Sequence, residues 1–126
     1  REKFRARAAR ARANLAEAIT STISNVFINE GKEQSPHILN LSFPGRDTDY
    51  LVALLDEDGF AISTRSACET DSEDGSRAVF ALTGDLERAR ATLRISWGSL
   101  VRASELTRFA RSLTRAVAFV DNNGRG

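Results

Sequence analysis

The sequence predicts an α/β sandwich in which a small sheet of about three strands packs against helices. Three observations point to it. Short runs of strand character at His37–Phe43, Phe60–Ser63 and Ala91–Trp97 are separated by Gly, Pro or acidic residues. Between and after them lie stretches whose apolar residues recur at helical spacing, most clearly beyond Ser104. The chain has 126 residues and 41% hydrophobic content, enough for one domain with one core.

In chain order, Arg1 to about Phe27 is expected to be helical, with Phe4, Ala8, Leu15, Ile19 and Ile23 near helical spacing. Its first half carries Arg1, Lys3, Arg5, Arg7, Arg10 and Arg12. Cations oppose the macrodipole at a helix N-terminus, so the helix is expected to begin upstream of Arg1. A phosphate-binding face is one reading of this run and a solvated helix side the other; Phe4 is the only aromatic among the cations, and the absence of regular aromatic interleaving favours the solvated side. Asn29 to Pro36 reads as a loop, and His37–Phe43 as a strand closed by Pro44-Gly45. Asp47 suits the N-cap of a helix through Tyr50, Leu51, Leu54 and Leu55 that stops at Asp58-Gly59. Phe60–Ser63 is the second strand. Ser76–Leu82 is a short helix ended by Gly84, and Ala91–Trp97 is the third strand, closed by Gly98. From Ser104, an N-cap with Glu105 behind it, Leu106, Phe109, Leu113, Val117 and Val120 outline an amphipathic helix running towards Asn122-Asn123-Gly124. No internal repeat, low-complexity segment or linker divides the chain.

Lys and Arg total 18 against 17 Asp and Glu, so net charge gives no general case for nucleic-acid or membrane partners. No apolar run approaches the roughly 18 residues of a membrane span, and no signal-peptide pattern is present. One unpaired cysteine suits a reducing compartment, so cytoplasm is the expected location. The sequence contains no Met and starts at Arg1, and we expect it to be a piece of something longer.

That cysteine, Cys68, is the chemical focus. It lies in Ile62-Ser63-Thr64-Arg65-Ser66-Ala67-Cys68-Glu69-Thr70, and the residues after it are acidic, hydroxylated or Gly. A lone cysteine makes no internal disulfide, so it is a small buried apolar residue or a reactive thiol, and these polar surroundings favour an exposed or cleft thiol. One His and one Cys make no zinc-ligand set, and no phosphate-cradling loop of the G-x-x-x-x-G-K type is present. A Cys68–His37 dyad would need a spatial adjacency that spacing does not supply. Arg94 stands out within the apolar run Leu93-Arg94-Ile95-Ser96-Trp97. With Leu93 and Ile95 turned to the core it faces a cleft or solvent, where a guanidinium fork suits a carboxylate of a ligand or of a neighbouring acid.

Three segments in this order, Ile38-Leu39-Asn40-Leu41-Ser42-Phe43-Pro44-Gly45, Phe60 through Cys68, and Leu93-Arg94-Ile95-Ser96-Trp97-Gly98, resemble the C-terminal small domain of cysteine desulfurases. These are class V members of the pyridoxal-phosphate aminotransferase fold, and the resemblance covers nearly the whole chain. It implies that Cys68 is the nucleophile, carried on a mobile loop, that takes sulfur from L-cysteine to leave alanine and a persulfide. It implies that Arg94 grips the substrate's α-carboxylate, and that the persulfide sulfur passes to an acceptor protein such as an iron–sulfur scaffold. It also implies a homodimeric parent whose large domain, absent here, holds pyridoxal phosphate through a Schiff-base lysine. The only lysines are Lys3 and Lys32, neither in such a motif, so residues 1–126 are expected to be one small domain, to contribute no cofactor or metal ligand, and to be inactive alone. Two departures stand out: Arg65 where the family usually has Gly, and Glu69, Asp71, Glu73 and Asp74 where it has small or hydroxylated residues. A cation beside the thiol favours the thiolate and the acids oppose it. A selenocysteine lyase or transaminase of the same class, and a noncatalytic persulfide carrier or interaction domain, are the alternatives.

Overall fold

The structure, a computed structural model, describes residues 2–30, 35–66 and 76–123. The elements run α1 (Glu2–Thr22), β1 (Phe27–Ile28), β2 (Ile38–Ser42), α2 (Thr48–Glu57), β3 (Ile62–Ser66), α3 (Ser76–Thr83), α4 (Leu86–Arg90), β4 (Thr92–Trp97) and α5 (Ala103–Asn123). The strands form one sheet in the order β1-β2-β4-β3, antiparallel at every pairing. Helix–strand alternation therefore produces an α+β sandwich whose sheet has four strands, one more than expected.

The register divides the sheet into two faces. Ile95 is paired with Leu39 on one side and Thr64 on the other, and Leu93 with Leu41 and Ser66. These residues point to the core, where Leu39, Leu41, Leu93 and Ile95 are fully buried with Ile19 of α1, Leu51 of α2, and Phe109 and Leu113 of α5. Helices α1, α2 and α5 thus cover one face, driven by the apolar stripes their sequences carry. The interleaved residues Asn40, Arg94 and Arg65, with Ser96 and Ser63 in the next row, fall on the opposite face.

Local chemistry sets the boundaries. The Asp47 side chain accepts from Tyr50 N at 3.1 Å and caps α2 as expected. Past the end of that helix, Gly59 takes φ 70°, a conformation that costs an L side chain but not glycine. Helix α1 stops at Thr22, earlier than expected, and Asn25, at φ 55°, turns the chain so that Phe27 and Ile28 pair with Ser42 and Leu41. The second expected strand starts two residues late, at Ile62. Phe60 instead sets its ring edge-on to Phe109, 5.5 Å between centroids, outside the ladder. Helix α4 was not expected; the Asp85 side chain caps it by accepting from Arg88 N. Helix α5 begins at Ala103 rather than after Ser104, and Glu105 reaches back to accept from Arg102 N.

One ion pair closes the far end of the core. Arg46 donates to Asp121 through Nε at 2.8 Å and Nη2 at 3.0 Å, and its Nη1 donates to the Asn25 carbonyl at 3.0 Å. That fork ties α5 to the turns after α1 and β2.

Candidate functional site

The polar face of the sheet, opposite α1, α2 and α5 and covered at one end by α4, carries Arg94. Strict alternation in β4 buries Leu93, Ile95 and Trp97, so Arg94 must project from the other face, where it is half-buried. Its neighbours in the same row are Asn40 on β2 and Arg65 on β3. Arg65 is exposed, as is Ser63 beside it. Among the described strand residues this face carries no carboxylate. It is therefore a cationic, hydrogen-bond-donating surface, suited to an anionic group. Where β3 begins and β4 ends, an open depression of about 450 Å³ lies against Phe60, Ser63, Ser96, Trp97 and Gly98.

A buried polar network forms the other end of this face. Asn29 is 5% exposed. Its Nδ2 donates to Asn40 Oδ1 at 2.9 Å and to Ser42 Oγ at 2.8 Å, while its Oδ1 accepts from Arg88 Nε at 2.7 Å. Ser42 Oγ in turn donates to the Arg88 carbonyl at 2.8 Å. Arg88 also donates to the Ile28 carbonyl at 3.0 Å and lies over the Phe27 ring at 5.0 Å from its centroid. Helix α4 is thereby docked on the edge of the sheet, and Asn40 is held beside Arg94.

Cys68 lies outside the described residues, as do Glu69, Asp71, Glu73, Asp74 and Lys32. Strand β3 ends at Ser66, two positions before it in sequence, and Ser66 Oγ donates to the Asp49 carboxylate. The end of β3 nearest to Cys68 in sequence therefore lies beside the Arg94 row. His37 stands at the other end of the sheet: its carbonyl accepts from Trp97 N, and its ring meets the Trp97 ring edge-on. Trp97 at that level and Leu93, the partner of Ser66, are four positions apart on β4, about 13 Å along the strand. His37 is thus a ring packed at the sheet end. Among the described residues, no group of three or more His, Cys, Asp or Glu could hold a metal ion. No helix of the structure is long and apolar enough to cross a membrane.

No protein-family model matches the chain. Curated relatives do. A Bacillus subtilis protein named as a cysteine desulfurase is 41% identical over 73 residues, 56% of this chain and 19% of its own length. The cysteine desulfurase IscS of Azotobacter vinelandii is 32% identical over 98 residues, 77% of this chain and 24% of its own. The chain belongs to the cysteine desulfurase family. It spans about a fifth to a quarter of the length of these relatives. A solved NifS-like protein superimposes with TM-score 0.71 over 94% of this desulfurase chain and 29% of its own, at 22% identity, which establishes the shared fold.

Desulfurase chemistry implies pyridoxal phosphate, and the described residues do not fit its covalent attachment. Lys3 is exposed on α1, which packs against the covered face of the sheet, away from Arg94. Sequence reasoning found Arg94 through alternation. It did not find that Asn40 and Arg65 flank it, because cross-strand partners follow from register, which a single strand does not reveal.

Proposed function

We propose that this chain is the C-terminal small domain of a pyridoxal-phosphate-dependent cysteine desulfurase, and that residues 1–126 form that domain as one unit. Arg94 holds the α-carboxylate of L-cysteine, and Cys68 receives the sulfur. The reaction converts L-cysteine and the Cys68 thiol into alanine and a Cys68 persulfide, so the sulfur changes partner and the substrate carbon gains a hydrogen. A large domain outside this chain supplies the cofactor and its lysine, and the polar sheet face packs towards it. The persulfide then passes to an acceptor protein, such as an iron–sulfur scaffold. The parent works as a homodimer in the cytoplasm, and the 126-residue chain alone does not turn over cysteine.

The observation that carries this reading is the placement of Arg94. In a chain of this family it projects, half-buried, from the sheet face opposite α1, α2 and α5, in one row with Asn40 and Arg65. A persulfide carrier without a substrate has no use for such a clamp.

The test is a chimera in which residues 1–126 replace the matching segment of the Azotobacter vinelandii desulfurase. Cysteine-dependent alanine release, with a mass gain of one sulfur on Cys68, is expected. Cys68→Ala should abolish both. Arg94→Ala should reduce kcat/KM by about 10- to 100-fold, the value of a charge-assisted fork. A chimera that binds the cofactor yet releases no alanine from cysteine would reject the desulfurase reading and move the chain to another class V reaction. Alanine release that survives Cys68→Ala would remove that residue from its role.

A further inference from the structure

We propose that the seam between α1 and α5 is a docking groove for a short amphipathic helix of a separate, acidic protein. The seam lies on the outer side of the helical layer, away from the Arg94 face, so this inference stands apart from the desulfurase reading.

Two depressions follow one another along the seam. The first, of about 270 Å³, lies against Phe4, Ala8 and Ala11 of α1, Leu106 of α5, and Trp97. The second, of about 410 Å³, lies against Ala18 and Thr22 of α1 and Thr107, Ala110 and Thr114 of α5. Both helices advance from the first depression to the second, so they run in the same direction, and Thr22 Oγ1 meets Thr114 Oγ1 across the seam at 3.0 Å. The hydroxyls of Thr22, Thr107 and Thr114 each donate to the carbonyl four residues earlier, at 2.8, 3.1 and 3.0 Å. The floor of the second depression therefore asks for no polar partner. A seam of this kind receives a third helix, whose apolar side chains fill the gaps between the first two.

Charge identifies the occupant. Arg7 and Arg102 line the first depression and Arg111 and Arg115 the second, while no carboxylate lines either. All four arginines are exposed, and among the described residues none of them is in an ion pair. Arg111 and Arg115 stand one turn apart, where like charges repel, so carboxylates brought by a partner relieve a cost the chain bears alone. The distance from Arg102 to Arg115 along a helix is about 20 Å, the length of three to four turns. A second copy of the chain docking through the same patch would set arginines against arginines. A nucleic-acid strand would satisfy the cations but leave the apolar floor unfilled. Of the basic run on α1 only Arg7 takes part, so the run as a whole keeps its solvated reading.

The test uses the 126-residue chain and a Trp-free peptide of about 14 residues, cut to the groove, with Leu on one helical face and Glu on the other. Its controls are the same peptide with Gln for every Glu, and a scrambled peptide of the same composition. Binding is read calorimetrically and by the emission of Trp97, the chain's only tryptophan, which lines the first depression. The Glu peptide should shift that emission and bind about tenfold more tightly than either control, the sum of several exposed ion pairs. Arg111→Gln combined with Arg115→Gln should weaken it about threefold, and Thr107→Glu, which sets a carboxylate in the second depression, by a similar factor. Arg90→Gln, an exposed arginine on α4 across the sheet, should leave the Kd unchanged. Equal Kd values for the three peptides, or a Glu peptide that binds the Arg111 and Arg115 double variant as tightly as the wild type, would overturn the groove. An oligo-dT strand of the same length that binds more tightly and displaces the peptide would overturn the acidic helix in favour of nucleic acid. A concentration-dependent dimer in sedimentation that Thr107→Glu disrupts would overturn it in favour of a second copy.

Discussion

Replacing Asn29 by Ala should be among the most costly polar substitutions in the molecule, and its size follows from counted bonds. The side chain is 5% exposed and makes three hydrogen bonds, to Asn40, Ser42 and Arg88. The two neutral bonds contribute about 1 kcal/mol each, and the charge-assisted bond from Arg88 about 1.5 kcal/mol, at the low end because Arg88 is partly exposed. Releasing the ordered amide returns under about 1 kcal/mol of side-chain entropy. The net loss is therefore about 3 kcal/mol, a large share of the 5–15 kcal/mol that typically holds a domain of this size.

Asn29→Asp is the informative partner substitution. It keeps the shape and the acceptor for Arg88, now as an ion pair, but replaces the two N–H donors by an oxygen. Ser42 Oγ already donates to the Arg88 carbonyl, so it has no hydrogen to offer that oxygen. Asn40 can turn its amide to donate. One bond is lost, one is exchanged and one is strengthened, so Asp should cost about 1–2 kcal/mol, less than Ala. Urea unfolding followed by circular dichroism, with the slope of free energy on urea unchanged between variants, reads the difference. A cost below about 1 kcal/mol for Asn29→Ala, or an Asp variant weaker than the Ala variant, would refute the view that this network pins α4 and Asn40 to the sheet.

Two further substitutions probe the covered face. Thr64 turns its hydroxyl into the core, where Oγ1 has no hydrogen-bond partner among the described residues, so Thr64→Val should be neutral or stabilising by up to about 1 kcal/mol, read as a raised midpoint in the same urea experiment. Phe109 is fully buried and packs edge-on against Phe60, so Phe109→Ala should cost about 3–5 kcal/mol; a drop in thermal midpoint of only one or two degrees would mean that the site collapses around the missing ring.

What could be read from the sequence, and what could not, divides along the range of the forces involved. Periodicity is a local property, so α5 and β4 were readable: Leu106, Phe109, Leu113 and Val117 all reach the core, and Leu93 and Ile95 are fully buried on either side of Arg94. Asp47 could be read as a cap because a cap acts within one turn. Strand β1 was hidden because two residues carry no period, and its pairing with β2 depends on the turn that Asn25 makes. Phe60 looked like a strand residue because an aromatic suits a strand, yet its ring is spent on Phe109, nearly fifty positions away in sequence. The candidate site shows the same division. The direction of Arg94 is set by its own strand, whereas the cation beside it is set by the pairing of β3 with β4. Sliding β3 by one residue would turn Arg65 to the covered face and bring Thr64 or Ser66 beside Arg94 in its place. The cost of burying that arginine unpaired, with the loss of Ile62 from the core, is what holds the two guanidiniums side by side, so the charge of the site is enforced by the packing of the opposite face.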